Sequence, residues 1–157
     1  MKLKERFKNT YLKAMADNLS KKDRSKLMSK VSQKNTKPEI LVRKFLYAKG
    51  YRYRVNVKRF PGSPDILMQK YKIAIFVHGC YWHGHSCRAG RLPSSNLSYW
   101  QQKIADNQER DARKRNELIA LGVNVIEVWA CEIKSKQSRE VRLHKLVEEI
   151  ESIKSYK

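Results

Sequence analysis

Residues 73–87 read IAIFVHGCYWHGHSC, and this stretch predicts both the centre of the fold and its chemistry. Its first five residues are all apolar, a pattern typical of a strand that is buried on both faces of a sheet. The remainder holds three of the chain's four histidines and two of its three cysteines. Such crowding of imidazole and thiol groups directly after a central strand indicates a metal site at one end of the sheet.

The ligand types favour structural zinc. A tetrahedral shell of three sulfurs and one nitrogen would be formed by Cys80, His85, Cys87 and Cys131. The last of these cysteines follows another strand-like run far along the chain. The set leaves His78 and His83 free for chemistry. The spacing does not match a standard zinc finger, and the alternative is three unrelated buried thiols beside loop histidines.

Patterns on either side of this stretch predict an α/β domain. A helix with a capping box is predicted from Thr36 to Gly50, and period-two alternation predicts a strand over residues 51–57. A short strand follows near residues 66–68. Beyond the loop that carries three histidines and two of the cysteines (residues 78–87, the metal loop), we predict a long charged helix. It starts at Ser98 and has Leu121 on its buried side. A strand near residues 123–129 and a final helix with an apolar face at residues 143–150 complete the chain. The expected order is helix, three strands, helix, strand, helix, around a central mixed sheet.

The charge of the chain indicates a polyanionic partner. Thirty-five Lys and Arg against fifteen Asp and Glu give a formal net charge of +20, spread through the whole sequence. Each neutralised phosphate releases counterions, so the charge predicts salt-sensitive affinity for nucleic acid. The alternative is a basic protein without such a partner.

Hydropathy and cysteine usage bear on location and domain organisation. No run of about 18 apolar residues predicts a membrane span, and the basic start lacks the apolar centre of a signal peptide. The few, unevenly spaced cysteines fit a reducing cytoplasm. The length of 157 residues suits one folded domain, residues 36–157, preceded by a lysine-rich arm, residues 1–35, with some helical tendency.

A carboxylate and an imidazole are predicted at neighbouring strand ends. Asp65 opens one strand and His78 closes the next, so both could face one phosphate. Magnesium keeps several waters, and Asp65 with the main-chain carbonyl of Val77 would hold it. The alternative for an Asp that follows a Pro is a simple turn residue.

These residues resemble a known family, the very short patch repair (Vsr) endonucleases of the restriction-endonuclease-like fold. The resemblance covers nearly the whole chain, and the family-like part begins at residues 15–17. It rests on Arg24-Ser25-Lys26 with Met28, on residues 60–65 (FPGSPD), on residues 78–83 (HGCYWH) with His85 and Cys87, on Asn107 with residues 109–111 (ERD), and on residues 128–131 (VWAC).

The resemblance implies roles for the candidate catalytic residues. It implies that Asp65 is the first acidic residue of the fold, that His83 is the general base, and that Asp111 orients His83. It further implies that Glu39 and His78 assist around a hydrated magnesium ion. A carboxylate partner fixes the tautomer of a histidine and strengthens it as a base. From the residues alone, Glu39 equally fits a helix cap and Asp111 a charge on a solvated helix face.

The resemblance also implies which residues contact DNA. Tyr81, Trp82 and Trp100 would wedge beside a mismatched pair, and Arg24, Lys26 and Met28 would bind the duplex. Insertion costs a few kcal/mol of unstacking, a cost that a mismatch lowers. The alternative for two large aromatics in a polar loop is a lid over the core.

The implied function is an endonuclease that nicks double-stranded DNA 5′ to the thymine of a T:G mismatch, the product of 5-methylcytosine deamination. It would use structural zinc and catalytic magnesium and act as a cytoplasmic, nucleoid-associated monomer, with mismatch-repair proteins as candidate partners. The alternatives are a restriction enzyme of the same fold, which would cut both strands of matched DNA, and a catalytically inactive zinc DNA-binding module.

Overall fold

The computed structural model describes residues 20–29, 32 and 34–155. Within these residues the helices and strands are α1 (Lys21–Ser29), α2 (Lys37–Ala48), β1 (Ile66–Met68), β2 (Ile73–His78), α3 (Leu97–Ala120), β3 (Asn124–Trp129) and α4 (Lys136–Ser155). Two single turns of 3₁₀ helix, Gln69–Tyr71 and Arg88–Gly90, lie in the connections.

The sheet has three strands in the order β1-β2-β3, with the predicted central strand in the middle. β1 pairs with β2 antiparallel, and β2 pairs with β3 parallel, so the sheet is mixed as expected. In the parallel pair Ile73 lies opposite Asn124 and His78 lies opposite Trp129. The two strands therefore end at the same level, and the segments that follow them start side by side.

Side-chain alternation along β2 separates two apolar layers. Ile73, Ile75 and Val77 belong to a core cluster that includes buried residues of α2 and α4. Ala74 and Phe76 belong to a second cluster, which contains Leu118 of α3. Because successive side chains of a strand point to opposite faces, His78 lies on the α3 side of the sheet. The strand thus delivers its terminal histidine to the face that α3 covers.

The predicted helix at residues 36–50 is confirmed, but its cap differs from a standard capping box. Thr36 is the N-cap, and its hydroxyl donates to Glu39 Oε1 at 2.7 Å instead of capping a backbone N–H. Glu39 Oε2 accepts the N–H of Asn35 at 2.8 Å. The helix ends at Ala48, and Gly50 adopts a φ of +89° that its missing side chain permits. The Glu39 carboxylate therefore secures the start of α2 from its own first turn.

The predicted strand over residues 51–57 is wrong. Arg54 forms a single bridge with Leu67, in which each backbone N–H donates to the other's carbonyl, at 2.9 and 2.8 Å. The ladder stops there because β1 is only three residues long and Asn56 has a φ of +49°. Alternation in this segment instead reflects anchoring by tyrosines, since the Tyr53 hydroxyl donates to the Arg43 carbonyl at 2.7 Å. Val55, predicted to face inward, is 44% exposed.

Both ends of the predicted long helix are shifted. Its N-cap is Asn96 and not Ser98, because Asn96 takes a left-handed φ of +52° and the helix begins at Leu97. Leu121, predicted to be buried, is 58% exposed because the helix ends at Ala120 and the chain turns at Gly122. Leu118, one turn earlier, is completely buried. Leu121, the last apolar residue of the predicted helix pattern, therefore does not pack against the core.

Part of the predicted N-terminal arm can be compared with the structure. Residues 21–29 form α1, capped by Ser20, whose hydroxyl oxygen accepts the Asp23 N–H at 3.1 Å. Residues 1–19, 30, 31 and 33 lie outside the described residues, and the boundary at residue 35 stays a prediction. No helix in the described part of the chain has the length and apolar character of a membrane span.

The two leucines at helix ends give a matched test of the core. Leu46→Ala should lower the free energy of unfolding by about 2–5 kcal/mol, because Leu46 is completely buried between α2 and the sheet. Leu121→Ala removes the same atoms from a 58% exposed side chain and should change it by less than about 0.5 kcal/mol. Urea unfolding of both variants measures the difference. Equal losses would show that the packing described for α2 or for the end of α3 is incorrect.

Candidate active site and metal centre

The four predicted zinc ligands come together at the ends of β2 and β3. Cys80 and Cys131 each lie two residues beyond the paired residues His78 and Trp129, so strand register places the two thiols side by side. The donor atoms of Cys80, His85, Cys87 and Cys131 all lie within 4.8 Å of one another. The three cysteines are free thiols, and Cys131 Sγ lies 3.5 Å from His85 Nδ1. The cluster can hold a metal ion.

Backbone contacts fold the loop tightly around this cluster. The His85 N–H donates to the Cys80 carbonyl at 3.0 Å, and the Gly90 N–H donates to the Cys87 carbonyl at 2.9 Å. A Cβ atom at Gly90 would lie 1.9 Å from the His85 carbonyl oxygen, so no side chain fits there. The His85 ring stacks on Trp129 with centroids 4.3 Å apart. The orientation of the ligand histidine is therefore set by packing and by the loop backbone together.

The protonation of the thiols also favours a cation. Burial raises the pKa of Cys131 to about 12, and the neighbouring thiols of Cys80 and Cys87 add to the rise. A hydrogen bond to His85 lowers the pKa of Cys87 to about 6. Thiols this close cannot all ionise without a compensating positive charge. A bound cation supplies that charge, as expected for a cysteine-rich metal centre.

A histidine–aspartate pair lies next to the metal loop. His83 Nδ1 is 2.5 Å from Asp111 Oδ2, which joins the loop to the middle of α3. Burial alone would raise the pKa of Asp111, but the hydrogen bond and charge of His83 lower it overall. Asp111 is therefore ionised and holds Nδ1 of the ring, which leaves Nε2 as the free nitrogen. The structure thus brings together the predicted base and the predicted orienting residue.

His78 stands against the same pair. Its ring centroid is 4.1 Å from that of His83 and 5.1 Å from that of Trp129. His78 Nε2 lies 3.9 Å from Glu127 Oε1 on β3. The contact with His78 is the chief cause of the lowered pKa of Glu127. Donor atoms of His78, His83 and Asp111 lie within 4.8 Å of one another.

Asp65 is held in place at the start of β1. Its Oδ2 accepts the Val77 N–H at 2.8 Å. Its carbonyl accepts two hydrogen bonds from the Arg43 guanidinium, at 3.1 and 3.3 Å. Burial raises the pKa of Asp65, and the Val77 hydrogen bond partly offsets the rise. Oδ1 makes no hydrogen bond among the described residues, so it is available to a ligand.

Glu39 is buried beneath this carboxylate and has structural partners. Arg43 Nη2 donates to Glu39 Oε2 at 3.1 Å and thereby links the two acidic residues. Arg43 Nη1 also donates to Asn35 Oδ1 at 2.6 Å. Removing one partner of a buried ion pair is costly, so this network keeps both acids in position. Glu39 thus lines the same groove as Asp65 with a fixed geometry.

The three predicted wedge residues form one aromatic cluster. Ring centroids of Tyr81 and Trp82 are 5.1 Å apart, those of Tyr81 and Trp100 are 5.4 Å apart, and those of Trp82 and Trp100 are 6.1 Å apart. Trp100 is only 6% exposed and forms the base of the cluster. Tyr99, 52% exposed, meets Trp100 edge-on at 5.2 Å. Partly exposed rings therefore rest on a buried one.

Most of the catalytic candidates and aromatic residues line one open groove of about 1300 Å³, but Tyr81 and the four residues of the Cys/His cluster do not. It is bordered by Asp65, His78, His83, Asp111, Trp82 and Trp100. Six basic side chains also line it, which are Lys58, Arg59, Lys103, Arg110, Lys114 and Arg115. The basic side chains around the groove can neutralise phosphates. The carboxylates at its base can at the same time hold a metal ion.

Of the three predicted DNA-contacting residues of the arm, the structure describes the side chain of Lys26 alone. Lys26 is exposed on α1 and is not among the groove-lining residues. The side chains of Arg24 and Met28 lie outside the described residues. Their role in DNA binding stays a prediction.

Sequence reasoning missed several supporting residues. Asn107 was seen only as part of a motif, yet its side-chain amide donates to the Trp82 carbonyl at 2.8 Å. Gln108 donates to the carbonyls of His83 and Gly84, each at 3.3 Å. Arg43 could have been found from its spacing of four residues after Glu39. Glu127 could have been found as the one acid within an otherwise apolar run, residues 125–129 (VIEVW).

Comparison with known proteins identifies the family of the chain. The sequence profile of the family described as DNA mismatch endonuclease Vsr matches residues 16–89. The type II nicking enzyme V.NmeAIP of Neisseria meningitidis is 50% identical over 136 residues, which cover 87% of this chain and 97% of that protein. V.XorIIP of Xanthomonas oryzae, also a type II nicking enzyme, is 46% identical over 85% of this chain and 98% of its own length.

A third relative carries the family name itself. The DNA mismatch endonuclease Vsr of Escherichia coli is 36% identical over 123 residues, 78% of this chain and 79% of that protein. The similarity to V.NmeAIP, over 136 of the 157 residues, extends well beyond the part matched by the profile. The chain therefore belongs to the family of the DNA mismatch endonuclease Vsr.

Proposed function

We propose that this protein is a magnesium-dependent, zinc-stabilised endonuclease that nicks one strand of double-stranded DNA 5′ to the thymine of a T:G mismatch and so initiates very short patch repair. That it is a Vsr-like DNA endonuclease follows from its family. The observation that carries the chemistry is the His83–Asp111 pair beside the buried Asp65 in one basic groove. The mixed sheet with Asp65 at the start of β1 supports a restriction-endonuclease-like core.

Zinc fits the donor set of the metal loop. Three thiols and one imidazole are the ligands that structural zinc prefers, and the four would close a tetrahedral shell with no open position. Such a shell would hold the loop after β2 to the end of β3. Because His83 and Trp82 lie inside that loop, a bound zinc ion would hold these proposed catalytic and DNA-contacting residues in position. It would also stabilise the fold.

Magnesium fits the end of the sheet near Asp65. Oδ1 of Asp65 is unpaired among the described residues, and the carboxylate sits where a cation would relieve its desolvation. The carbonyl of Val77 would be the second protein ligand. Within a strand the N–H and C=O of one residue point to the same side, and the Val77 N–H already contacts Asp65. When bound, the ion would neutralise charge on the reacting phosphate and bring hydration water.

The proton chemistry belongs to the chain's own histidines. Asp111 fixes Nδ1 of His83, so Nε2 can accept the proton of the attacking water. His78, packed against His83, faces the same phosphate from the end of β2. Glu39, held by Arg43, adds negative charge behind Asp65 and assists around the hydrated ion. Hydrolysis on one strand is consistent with one set of these groups in one groove.

Recognition of the mismatch would use the aromatic cluster. Tyr81 and Trp82 are partly exposed and rest on buried Trp100, so rings inserted between bases would have a firm support. A T:G pair stacks and pairs less favourably than a matched pair, and the wedge therefore favours it. The surrounding cations would add affinity that is independent of sequence. Nicking enzymes among the relatives support single-strand cleavage over the restriction-type alternative.

Loss of one zinc ligand should destabilise the protein. Cys131→Ser is expected to lower the zinc content below one per chain and to lower the melting temperature, because a structural site contributes directly to folding. Elemental analysis and thermal melting measure both. The control is His144→Gln, which removes a histidine exposed on α4 and should alter neither. Full zinc content with an unchanged melt in Cys131→Ser would end the zinc assignment.

Removal of the chemical groups should separate cleavage from binding. Asp65→Asn and His83→Ala should each lower the nicking rate on a T:G duplex by at least roughly 100-fold, the usual contribution of a positioned acid or base. Binding of the same duplex should persist, because neither change removes one of the Lys or Arg side chains that line the groove.

Strand-resolved gels and binding titrations at saturating magnesium measure the two properties. Asp106→Asn, an exposed aspartate of α3 that pairs with Gln102, is the control. Near-normal nicking by either variant would remove that residue from the mechanism. Cleavage of both strands of matched DNA by the unmodified protein would favour the restriction-type function, and no metal-dependent nick at all would favour the inactive module.

Loss of the wedge should weaken only mismatch binding. Trp82→Ala is expected to lower affinity for a T:G duplex by about 1–3 kcal/mol, the usual value of one base–aromatic stack. Affinity for matched duplex and its salt dependence should stay nearly unchanged. Tyr47→Ala, which removes an exposed ring from α2 that does not line the groove, is the control. An equal loss for both duplexes, without unfolding, would make Trp82 a structural lid over the metal loop.

A further inference from the structure

Glu127 is an acidic residue on a strand that otherwise packs in the core. Its neighbours Ile126 and Val128 are buried on the opposite face of β3. The parallel register places Glu127 opposite Phe76 and Trp129 opposite His78. Because side chains alternate along each strand, all four lie on the face that α3 covers. Glu127 therefore reaches the site by strand geometry.

We propose that Glu127 is a positioning residue that holds the His78 imidazole, so that the groove contains two imidazole–carboxylate pairs, Asp111–His83 and Glu127–His78. The proposal rests on the proposed function for its effect on nicking. Its structural part, the contact between Glu127 and His78, stands independently of the substrate.

The packing around His78 leaves one property of the ring undetermined. Phe76 stacks almost parallel to it at 5.8 Å, and Trp129 and His83 tilt against it at 5.1 and 4.1 Å. These rings restrict the plane of the imidazole, but none of them selects which nitrogen faces β3. Glu127 Oε1, 3.9 Å from Nε2, supplies the directional partner. A carboxylate of this kind orients a histidine and selects its tautomer.

Exposure of the pair indicates a functional and not a packing role. The His78 side chain is 10% exposed, while that of Glu127 is 32% exposed. Glu127 borders both the main groove and an adjoining open pocket of about 490 Å³ that is shared with His83, Asp111 and Arg115. Truncating it would therefore leave no cavity in the core. The 3.9 Å separation is longer than a hydrogen bond, and the partly exposed carboxylate has room to close it when bound DNA excludes water.

The negative charge of Glu127 is also better explained by its contact with His78 than by a role in DNA binding. A carboxylate in a groove that receives phosphates opposes binding by like-charge repulsion. Arg115 offsets part of this charge, whereas Asp111 adds to it. Orienting His78 is a function for this carboxylate that outweighs its repulsion of the phosphates. Its removal should therefore affect the chemical step more than DNA affinity.

The first test observes the contact without any substrate. Ring nitrogen and carbon signals of His78 are assigned by comparison with His78→Gln, which is practical in a chain with four histidines. Glu127→Gln and Glu127→Ala should shift the His78 ring signals. Glu117→Gln, whose carboxylate pairs with Arg113 and Lys114, removes the same charge and should leave them in place. Unchanged His78 signals in Glu127→Ala would overturn the proposal, even if the protein cut no T:G duplex.

The second test separates chemistry from binding. Single-turnover nicking of a T:G duplex at saturating protein should slow by about tenfold in Glu127→Ala, the usual size of losing such an orienting partner. Glu127→Gln, which keeps an acceptor oxygen, should lose less. The dissociation constant should stay within about twofold of that of Glu117→Gln. A rate equal to that of Glu117→Gln, or a rate loss matched by weaker binding and a lower melting temperature, would make Glu127 a surface charge or a structural residue.

Discussion

The parallel, in-register pairing of β2 with β3 is the constraint on which the site depends. It sets His78 opposite Trp129 and, two residues beyond the end of each strand, Cys80 beside Cys131. One set of backbone hydrogen bonds thus assembles a metal cluster and a histidine-rich floor at the same sheet edge. A shift of one residue would turn every side chain of β3 to the other face. The candidate metal cluster and the proposed catalytic groups therefore share a single structural requirement.

The helix α3 supplies the opposite wall, and it acts through the backbone of the metal loop as well as through side chains. Asp111 holds the His83 ring, while Asn107 holds the Trp82 carbonyl one turn earlier. Residues four apart lie on one helix face, so a single face of α3 orients both the proposed base and the proposed wedge. Cleavage and recognition are consequently coupled through one rigid element, with buried Trp100 near its start.

The sequence predicted most of the residues that the structure brings together at the candidate site and less of the framework that supports them. The run at residues 73–77 and the valine-rich run at 123–129 indicated their strands because burial requires apolar side chains, and the Cys/His spacing indicated the cluster. The alternation at residues 51–57 misled because Tyr51 and Tyr53 are anchored to helices, and anchoring has the same period as a strand ladder. Local spacing distinguishes Arg43 and Glu127, but their contacts with Asp65 and His78, which are distant in sequence, could not be predicted. Hydrophobic periodicity carries no information on such pairings.

The close approach at Gly90 has a consequence for how members of this family can vary. The loop from Cys80 to Gly90 returns on itself so tightly that the His85 carbonyl occupies the space of a side chain at Gly90. Insertions inside this loop would move a metal ligand and His83 together, whereas residues 91–96 connect the loop to α3 without holding either cluster. Length variation is therefore best tolerated in that connection. Changing its length would move Tyr99 and the first turn of α3 relative to the groove, while the Cys/His cluster and the His83–Asp111 pair kept their positions.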